Sequence, residues 1–294
     1  MTVDPLGTAR RGPRDLDLPA GRHGVLLLHG LASGPQELQF LARGLQRAGY
    51  TVQVPVLPGY SFDGSGAAGA PQQAWVAQAL AAFDRLQARC DTVAVGGLCI
   101  GAVLALRLAL QRARQVSAVL ALSTTLHYDG WATPRTRRLL PLARWVPWAK
   151  RIAVREGPPY GVKDERLRAW IAGQMASAGT SDAGAAELRV GDLLQARALI
   201  KEVRRRLPEI EAPLLLLHAR DDEAASPRSA FEVARRVRSR EVRCQLFGDS
   251  YHMLSIDREK HQVLAAMREF MDRHGAGGGR AARGGQLLSL PSRA

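Results

Sequence analysis

The chain has little cysteine, little lysine and few aromatic residues, and each shortage narrows what it can be. Three cysteines, Cys90, Cys99 and Cys244, cannot build a disulfide framework, and no pair has the CxxC spacing of a zinc or redox site. A reducing, cytoplasmic setting without a bound metal is the expectation. No glycine-rich phosphate loop follows the first apolar strand, so no nucleotide cofactor is expected either. No apolar run is long enough to cross a bilayer, and Met1–Gly24 carries Arg10, Arg11 and Arg14 without the apolar segment of a secretion signal. Aromatic residues make up 5% of the chain, and no nucleic-acid-binding motif accompanies its positive charge, which argues against nucleic acid as a partner. No internal repeat is visible.

What is present is a basic chain of 294 residues with a net charge of +14, long enough for one α/β core that carries an insertion. Nearly all the positive charge is arginine, the lysines being Lys150, Lys163, Lys201 and Lys260. Charge of this sign attracts anionic partners such as acyl-CoA, an acidic acyl carrier protein or an anionic membrane surface.

Short apolar runs alternate with helix-like segments. Gly24–Leu31 reads as a buried strand ending in His29-Gly30. Ser33, with Gln36 three residues on, predicts a capping box for a helix through Ala48. Thr51–Val56 returns as a strand, Ser61–Ala70 as a loop near the site. From Pro71 the spacing of Trp75, Ala79, Phe83 and Leu86 predicts a helix laid on the sheet. An apolar strand ending near Leu98, a helix over 102–114 and a strand over Val116–Leu122 follow. After an interruption come a strand at Pro213–Arg220, a helix at Arg228–Arg238, a strand at Glu241–Phe247 and a helix at Arg258–His274, with Val263, Met267, Phe270 and Met271 at core spacing. This pattern predicts an α/β fold, a doubly wound, mostly parallel sheet with flanking helices. The core spans 23–126 and 207–274, and 127–206 is an inserted helical cap. Residues 1–22 read as a poorly ordered lead-in and 275–294 as a disordered basic tail.

The chemistry centres on Val93–Leu104, where an apolar strand enters Gly97-Leu98-Cys99-Ile100-Gly101 and a helix leaves it. A residue held in a tight strand-to-helix turn needs small neighbours two positions away on each side, and Gly97 and Gly101 supply them. The helix N-terminus favours a thiolate at Cys99 and an oxyanion beside it. The same residues also fit a buried cysteine in an ordinary strand-to-helix turn.

Taken with Leu28-His29-Gly30-Leu31, Ala219-Arg220-Asp221-Asp222-Glu223 and Asp249-Ser250-Tyr251-His252, these motifs resemble the α/β-hydrolase superfamily over residues 23–274. The likeness is greatest to small bacterial carboxylesterases and monoacylglycerol lipases with a compact cap. The order nucleophile, acid, histidine is that of the superfamily. The resemblance implies Cys99 as nucleophile, His252 as base and Asp222 as the acid that orients it, with the backbone N–H groups of Leu31 and Ile100 as the oxyanion hole. Asp221 is the competing acid, and the esterase pattern Ala-Arg-x-Asp selects Asp222.

Relatives of this kind usually carry serine at the elbow, whereas cysteine elbows occur in dienelactone hydrolases, polyhydroxyalkanoate synthases and some thioesterases that transfer acyl groups. The leading expectation is hydrolysis of carboxylic esters or thioesters with a medium-length apolar acyl chain through an acyl-thioester. The alternatives are acyl transfer from CoA or a carrier protein, and a non-catalytic binding protein on the same scaffold. His29 reads as a packing residue beneath the oxyanion turn, and Cys90 and Cys244 as core fillers. Trp131, Trp145 and Trp148 read as cap packing that also offers an acyl pocket. Arg135, Arg137, Arg138, Arg144, Lys150 and Arg151 form a solvated basic face, or a docking patch for an anionic partner.

Overall fold

Seven strands make the central sheet of the computed structural model, which describes residues 14–274 except 62–69, 156, 179, 182–183 and 186. Most of the loop expected over 61–70 and the whole of the tail at 275–294 lie outside the described residues. The strands are β1 (Leu16–Leu18), β2 (His23–Leu28), β3 (Thr51–Val54), β4 (Thr92–Leu98), β5 (Val116–Leu122), β6 (Leu214–Ala219) and β7 (Val242–Phe247). Their spatial order is β1-β3-β2-β4-β5-β6-β7, all parallel except β1. The central strands are apolar at nearly every position because helices cover both faces. Leu26 and Leu28 of β2 turn to one core layer and Val25 and Leu27 to the other.

Helices α1 (Gln39–Arg47) and α7 (Lys260–His274) cover one face, and α2 (Gln72–Gln87) and α3 (Ile100–Gln111) the other. The residues expected to seat α2 and α7 are fully buried: Trp75, Ala79, Phe83 and Leu86 in one, Val263, Met267, Phe270 and Met271 in the other. Helix α3 is apolar all round and buried along ten of its twelve residues, as befits a helix at the centre of the molecule.

Several local expectations are corrected. Within the stretch read as a disordered lead-in, Leu16–Leu18 adds an antiparallel edge strand, with Leu16 opposite Val54 and Leu18 opposite Val52. Three residues are too few for alternation to show in a sequence, and this strand is held by its neighbours: Asp15 accepts the Val56 N–H at 2.7 Å and Asp17 pairs with Arg89. The Ser33–Gln36 capping box does not form. The chain enters through a 3-10 turn, Pro35–Leu38, capped at Gly34 with no side-chain hydrogen bond, because Pro35 fixes φ and has no N–H to offer. Helix α3 starts directly after Cys99 rather than at Ala102, and Cys244 is exposed on the edge strand β7 rather than buried in the core.

The insertion holds α4 (Glu165–Ala178), two 3-10 segments (Arg135–Trp145 and Pro147–Arg151) and short ribbons pairing Ala153–Arg155 with Glu187–Arg189 and Thr180–Ser181 with Gly184–Ala185. Its last helix, α5 (Val190–Arg206), sits against the core: Ala196, Leu199, Ile200 and Val203 join the layer of α3, and Arg107 pairs with Glu202 at 2.9 Å. Helix α6 (Arg228–Arg236) precedes β7. Among the described residues no helix is long and apolar enough to cross a membrane.

Candidate active site

The chain runs from β2 to β3 on one side and then places β4 on the other side of β2, so the strand order reverses at the β2–β4 pair. A crevice opens at the carboxyl ends of parallel strands where this happens. Both turns of interest are there, His29-Gly30-Leu31 after β2 and Cys99 after β4.

Cys99 has φ 59° and ψ −120°, a conformation that costs an L-residue about 1–3 kcal/mol and persists only where its surroundings impose it. The surroundings are tight. A Cβ on Gly101 would lie 2.0 Å from the Leu28 carbonyl oxygen, and one on Gly97 would lie 2.4 Å from the Gly101 carbonyl carbon. The Cys99 N–H is tied to the Leu122 carbonyl at 3.0 Å. The side chain is thus lifted off the sheet, with the first N–H groups of α3 behind it and no earlier turn to receive them.

His252 comes from the loop after β7, and four backbone or side-chain ties fix it. Its carbonyl accepts the Ser123 hydroxyl at 2.6 Å, its N–H donates to Glu223 Oε2 at 3.1 Å, the next N–H (Met253) donates to the Gly161 carbonyl at 2.8 Å, and the preceding one (Tyr251) to Asp257 at 2.8 Å. Its Nδ1 lies 2.8 and 3.0 Å from the two Asp222 oxygens. Asp222 also accepts the Ala224 and Ala225 N–H groups at 2.9 and 2.8 Å and lies 3.3 Å from His218 Nε2. Asp221, by contrast, is half exposed, between Lys163 and Arg220. The structure brings Asp222, not Asp221, to the imidazole.

The electrostatics follow. Burial disfavours charge on His252, but Asp222 and the Cys99 sulfur outweigh it and carry the imidazole well above its usual range. Burial would likewise raise Asp222, and the His252 and His218 imidazoles overcome it to hold that carboxylate well below the usual range. His252 Nε2 is buried with no hydrogen-bond partner of regular geometry among the described residues, while the neighbouring sulfur still bears on its charge. Such a loose thiol–imidazole contact is ordinary in an unliganded site.

His29 packs beneath the turn as expected. Burial depresses its pKa to about 4; its Nε2 accepts the Ser61 hydroxyl at 2.7 Å, Ser61 Oγ being itself held by the Leu57 N–H, and its Nδ1–H donates to the Gly30 carbonyl at 2.8 Å. Trp131 lies over the site's rim, its Nε1–H on the Asp221 carbonyl at 3.0 Å and its ring edge-on to Tyr251. Trp145 and Trp148 are 73% and 70% exposed and so neither pack the cap nor enclose a pocket in this structure.

Four further residues belong to the site, three of them outside any motif. Thr125, buried just past β5, has its hydroxyl 3.4 Å from Cys99 Sγ and 3.1 Å from the Ser123 carbonyl, able to donate to either. His218 backs Asp222. Glu37 and Glu223 are buried acids whose pKa burial pushes up to about 7. Glu223 stands beside a proposed acid in its motif, whereas nothing in Pro35-Gln36-Glu37-Leu38-Gln39 marks Glu37 as buried. Among the described residues no cluster of three or more His, Cys, Asp or Glu could hold a metal.

Known proteins share this fold. A thermostable monoacylglycerol lipase of Bacillus sp. (strain H-257) is 23% identical over 254 residues, 86% of this chain and 92% of the relative. The fold matches a structure from the metagenome-derived lipolytic enzymes LipS and LipT, with a TM-score of 0.76 and 24% identity over 90% of this chain and 98% of that one. It also matches a soluble variant of the Saccharomyces cerevisiae monoglyceride lipase, with a TM-score of 0.77 and 15% identity over 89% and 92% of the two chains. The family model described as serine aminopeptidase, S33, matches residues 20–259. That match runs from β2 through β7 and takes in all the residues gathered around Cys99, with α7 beyond it, and the chain is accordingly a member of the serine aminopeptidase S33 family of α/β hydrolases, with cysteine at its elbow.

Proposed function

We propose that this protein hydrolyses carboxylic esters or thioesters of medium-length apolar acyl chains, with Cys99 as the nucleophile. The observation that carries the proposal is the arrangement of His252: Nδ1 on Asp222 at 2.8 Å, Nε2 buried and unpartnered beside the thiol. In this mechanism the thiol proton passes to Nε2, and the sulfur attacks the acyl carbon. The carbonyl oxygen becomes an oxyanion facing the Leu31 and Ile100 N–H groups. Collapse expels the alcohol or thiol, which takes the proton from His252, and leaves an acyl-thioester on Cys99. Water, deprotonated by the same imidazole, releases the acid and restores the thiol. The lipolytic character of the named relatives supports an ester substrate, and in this reading Trp131, tied to the Asp221 carbonyl beside the acid of the site, meets its acyl chain.

A second reading, acyl transfer, is favoured by two features. One is the sulfur, whose acyl-thioester also reacts with alcohols and amines. The other is the stretch 131–155, which has Arg135, Arg137, Arg138, Arg144, Lys150, Arg151 and Arg155 and no acidic residue, with Trp145, Trp148 and Leu142 exposed. This surface suits acyl-CoA, an acyl carrier protein or an anionic membrane. The test is a panel of p-nitrophenyl esters, monoacylglycerols and acyl-CoAs, run with and without alcohol and amine acceptors, with products and intact protein followed by mass spectrometry. Acid release with acylated Cys99 supports hydrolysis, and a new acylated acceptor supports transfer. A protein that never becomes acylated is a binding protein on this scaffold.

A further inference from the structure

The turn that presents the Leu31 N–H is two peptide planes long, and both are clamped. In the His29–Gly30 plane, the carbonyl accepts the Tyr60 hydroxyl at 2.7 Å and the N–H donates to Glu37 Oε1. In the Gly30–Leu31 plane, the carbonyl accepts both His29 Nδ1–H at 2.8 Å and the Ser33 N–H at 3.2 Å. A trans peptide points its C=O and N–H in opposite directions. Pinning the Gly30 carbonyl therefore turns the Leu31 N–H away from those donors, and pinning the plane before it fixes the rotation between the two.

Of these clamps, Glu37 alone is ionisable near neutrality and sits against the nucleophile. Its side chain is 1% exposed. A Cβ built on Gly30 would lie 3.4 and 3.5 Å from its two oxygens and 3.7 Å from Cys99 Cβ, so only the absent side chain of Gly30 separates the carboxyl from residue 99. The ion pairs of the site run to Asp222, and among the described residues none reaches Glu37. The groups facing it are the Cys99 thiol across Gly30, the His252 imidazole, the Ser33 hydroxyl and the Tyr60 phenol. A carboxyl buried here, facing the His252 imidazole and this close to a forming oxyanion, opposes the build-up of negative charge once it ionises.

We propose that Glu37 is a positioning residue for the acyl oxyanion: its carboxyl, working as the neutral acid, fixes the Gly30 turn and with it the direction of the Leu31 N–H. The inference rests on the Cys99 mechanism above. Burial brings the ionisation of Glu37 to about pH 7, so its charge appears within the working range and slows the enzyme from the alkaline side.

The experiment compares wild type, Glu37→Gln and Glu37→Ala on one p-nitrophenyl ester from pH 6 to pH 8.5, with intact-mass detection of acylated Cys99 in each run. Gln keeps an oxygen for the Gly30 N–H but cannot ionise. It should hold kcat near the wild-type value at pH 6 and exceed it at least threefold at pH 8.5, with KM within twofold. Ala should lose at least tenfold in kcat at every pH with KM little changed. If Cys99 is acylated in the wild type but Glu37→Gln follows the wild-type pH profile, or Glu37→Ala keeps full kcat, the role of Glu37 is overturned and the mechanism stands. If the wild type never acylates Cys99, both fall.

Discussion

Replacing Asp222 by Asn tests whether the carboxylate, and not merely the shape of the loop, equips His252. The Asn oxygen can keep the Ala224 and Ala225 N–H bonds made by Oδ1 at 2.9 and 2.8 Å, which turns its NH2 toward His252 Nδ1, now 2.8 Å from Oδ2. An amide donor there makes Nδ1 an acceptor. The imidazole proton moves to Nε2, where it faces Cys99 and blocks transfer from the thiol. The variant also loses the negative charge that holds His252 above its usual range. Loss of the same orienting acid in triads of this kind costs about four decades in rate, which at about 1.4 kcal/mol per decade is about 5 kcal/mol of transition-state stabilisation. Because a thiol needs less help than a hydroxyl to ionise, a loss of about 10³ to 10⁴ in kcat/KM is expected. The assay is p-nitrophenyl ester hydrolysis from pH 6 to pH 9, with circular dichroism to confirm the fold. A folded variant within tenfold of wild type at every pH would refute the assignment of Asp222.

Cys99→Ser should fall at least 100-fold at pH 7, because a hydroxyl gives up its proton far less readily than a thiol; an unchanged pH 7 rate would mean that the site runs on serine chemistry. Gly101→Ala should fail to fold, since its Cβ would stand 2.0 Å from a backbone oxygen, whereas Gly173→Ala in α4, with nothing within 4 Å, should gain up to about 1 kcal/mol in chemical denaturation; equal effects would contradict the elbow geometry. Glu223 has its pKa raised from 4.5 to about 7 by burial and the Asp222 charge, against the pull of His252. The folded state therefore holds the proton more tightly than the unfolded chain. The stability this confers is complete below about pH 4.5 and is lost as the pH rises through 7, by about 3 kcal/mol. Glu223→Gln should remove that slope in urea titrations at pH 4.5, 6 and 8, and parallel curves for the two proteins would show that the carboxyl is not linked to folding.

Much of the core was legible because its signals are local. Short, mostly apolar runs such as Val116–Leu122 between helix-like segments fit strands covered on both faces, and Trp75, Ala79, Phe83 and Leu86 repeat at the period of a helix whose one side is buried. The family resemblance rested on the same kind of signal, glycines at fixed offsets around residue 99. The short strand Leu16–Leu18 was illegible because pairing with β3, not its own pattern, makes it a strand. Helix α5 joins the layer of α3, a placement that connection order alone does not show. The exposure of Cys244 was hidden because β7 is an edge strand with little packed against its outer positions.

The sequence by itself determined the order of strands and helices, the tight turn at Cys99 and the presence of a downstream acid and histidine, since each depends on neighbours within a few residues. Only the tertiary structure shows the contact itself: the esterase pattern points to Asp222 rather than Asp221, and the fold brings Asp222 to an imidazole thirty positions away while its neighbour points apart. It also placed Glu37 and Thr125 beside residue 99, His218 behind Asp222 and Glu223 on the His252 N–H. Their common feature is burial, and burial that shifts a carboxyl to about pH 7 is a property of the assembled interior, not of any stretch of chain.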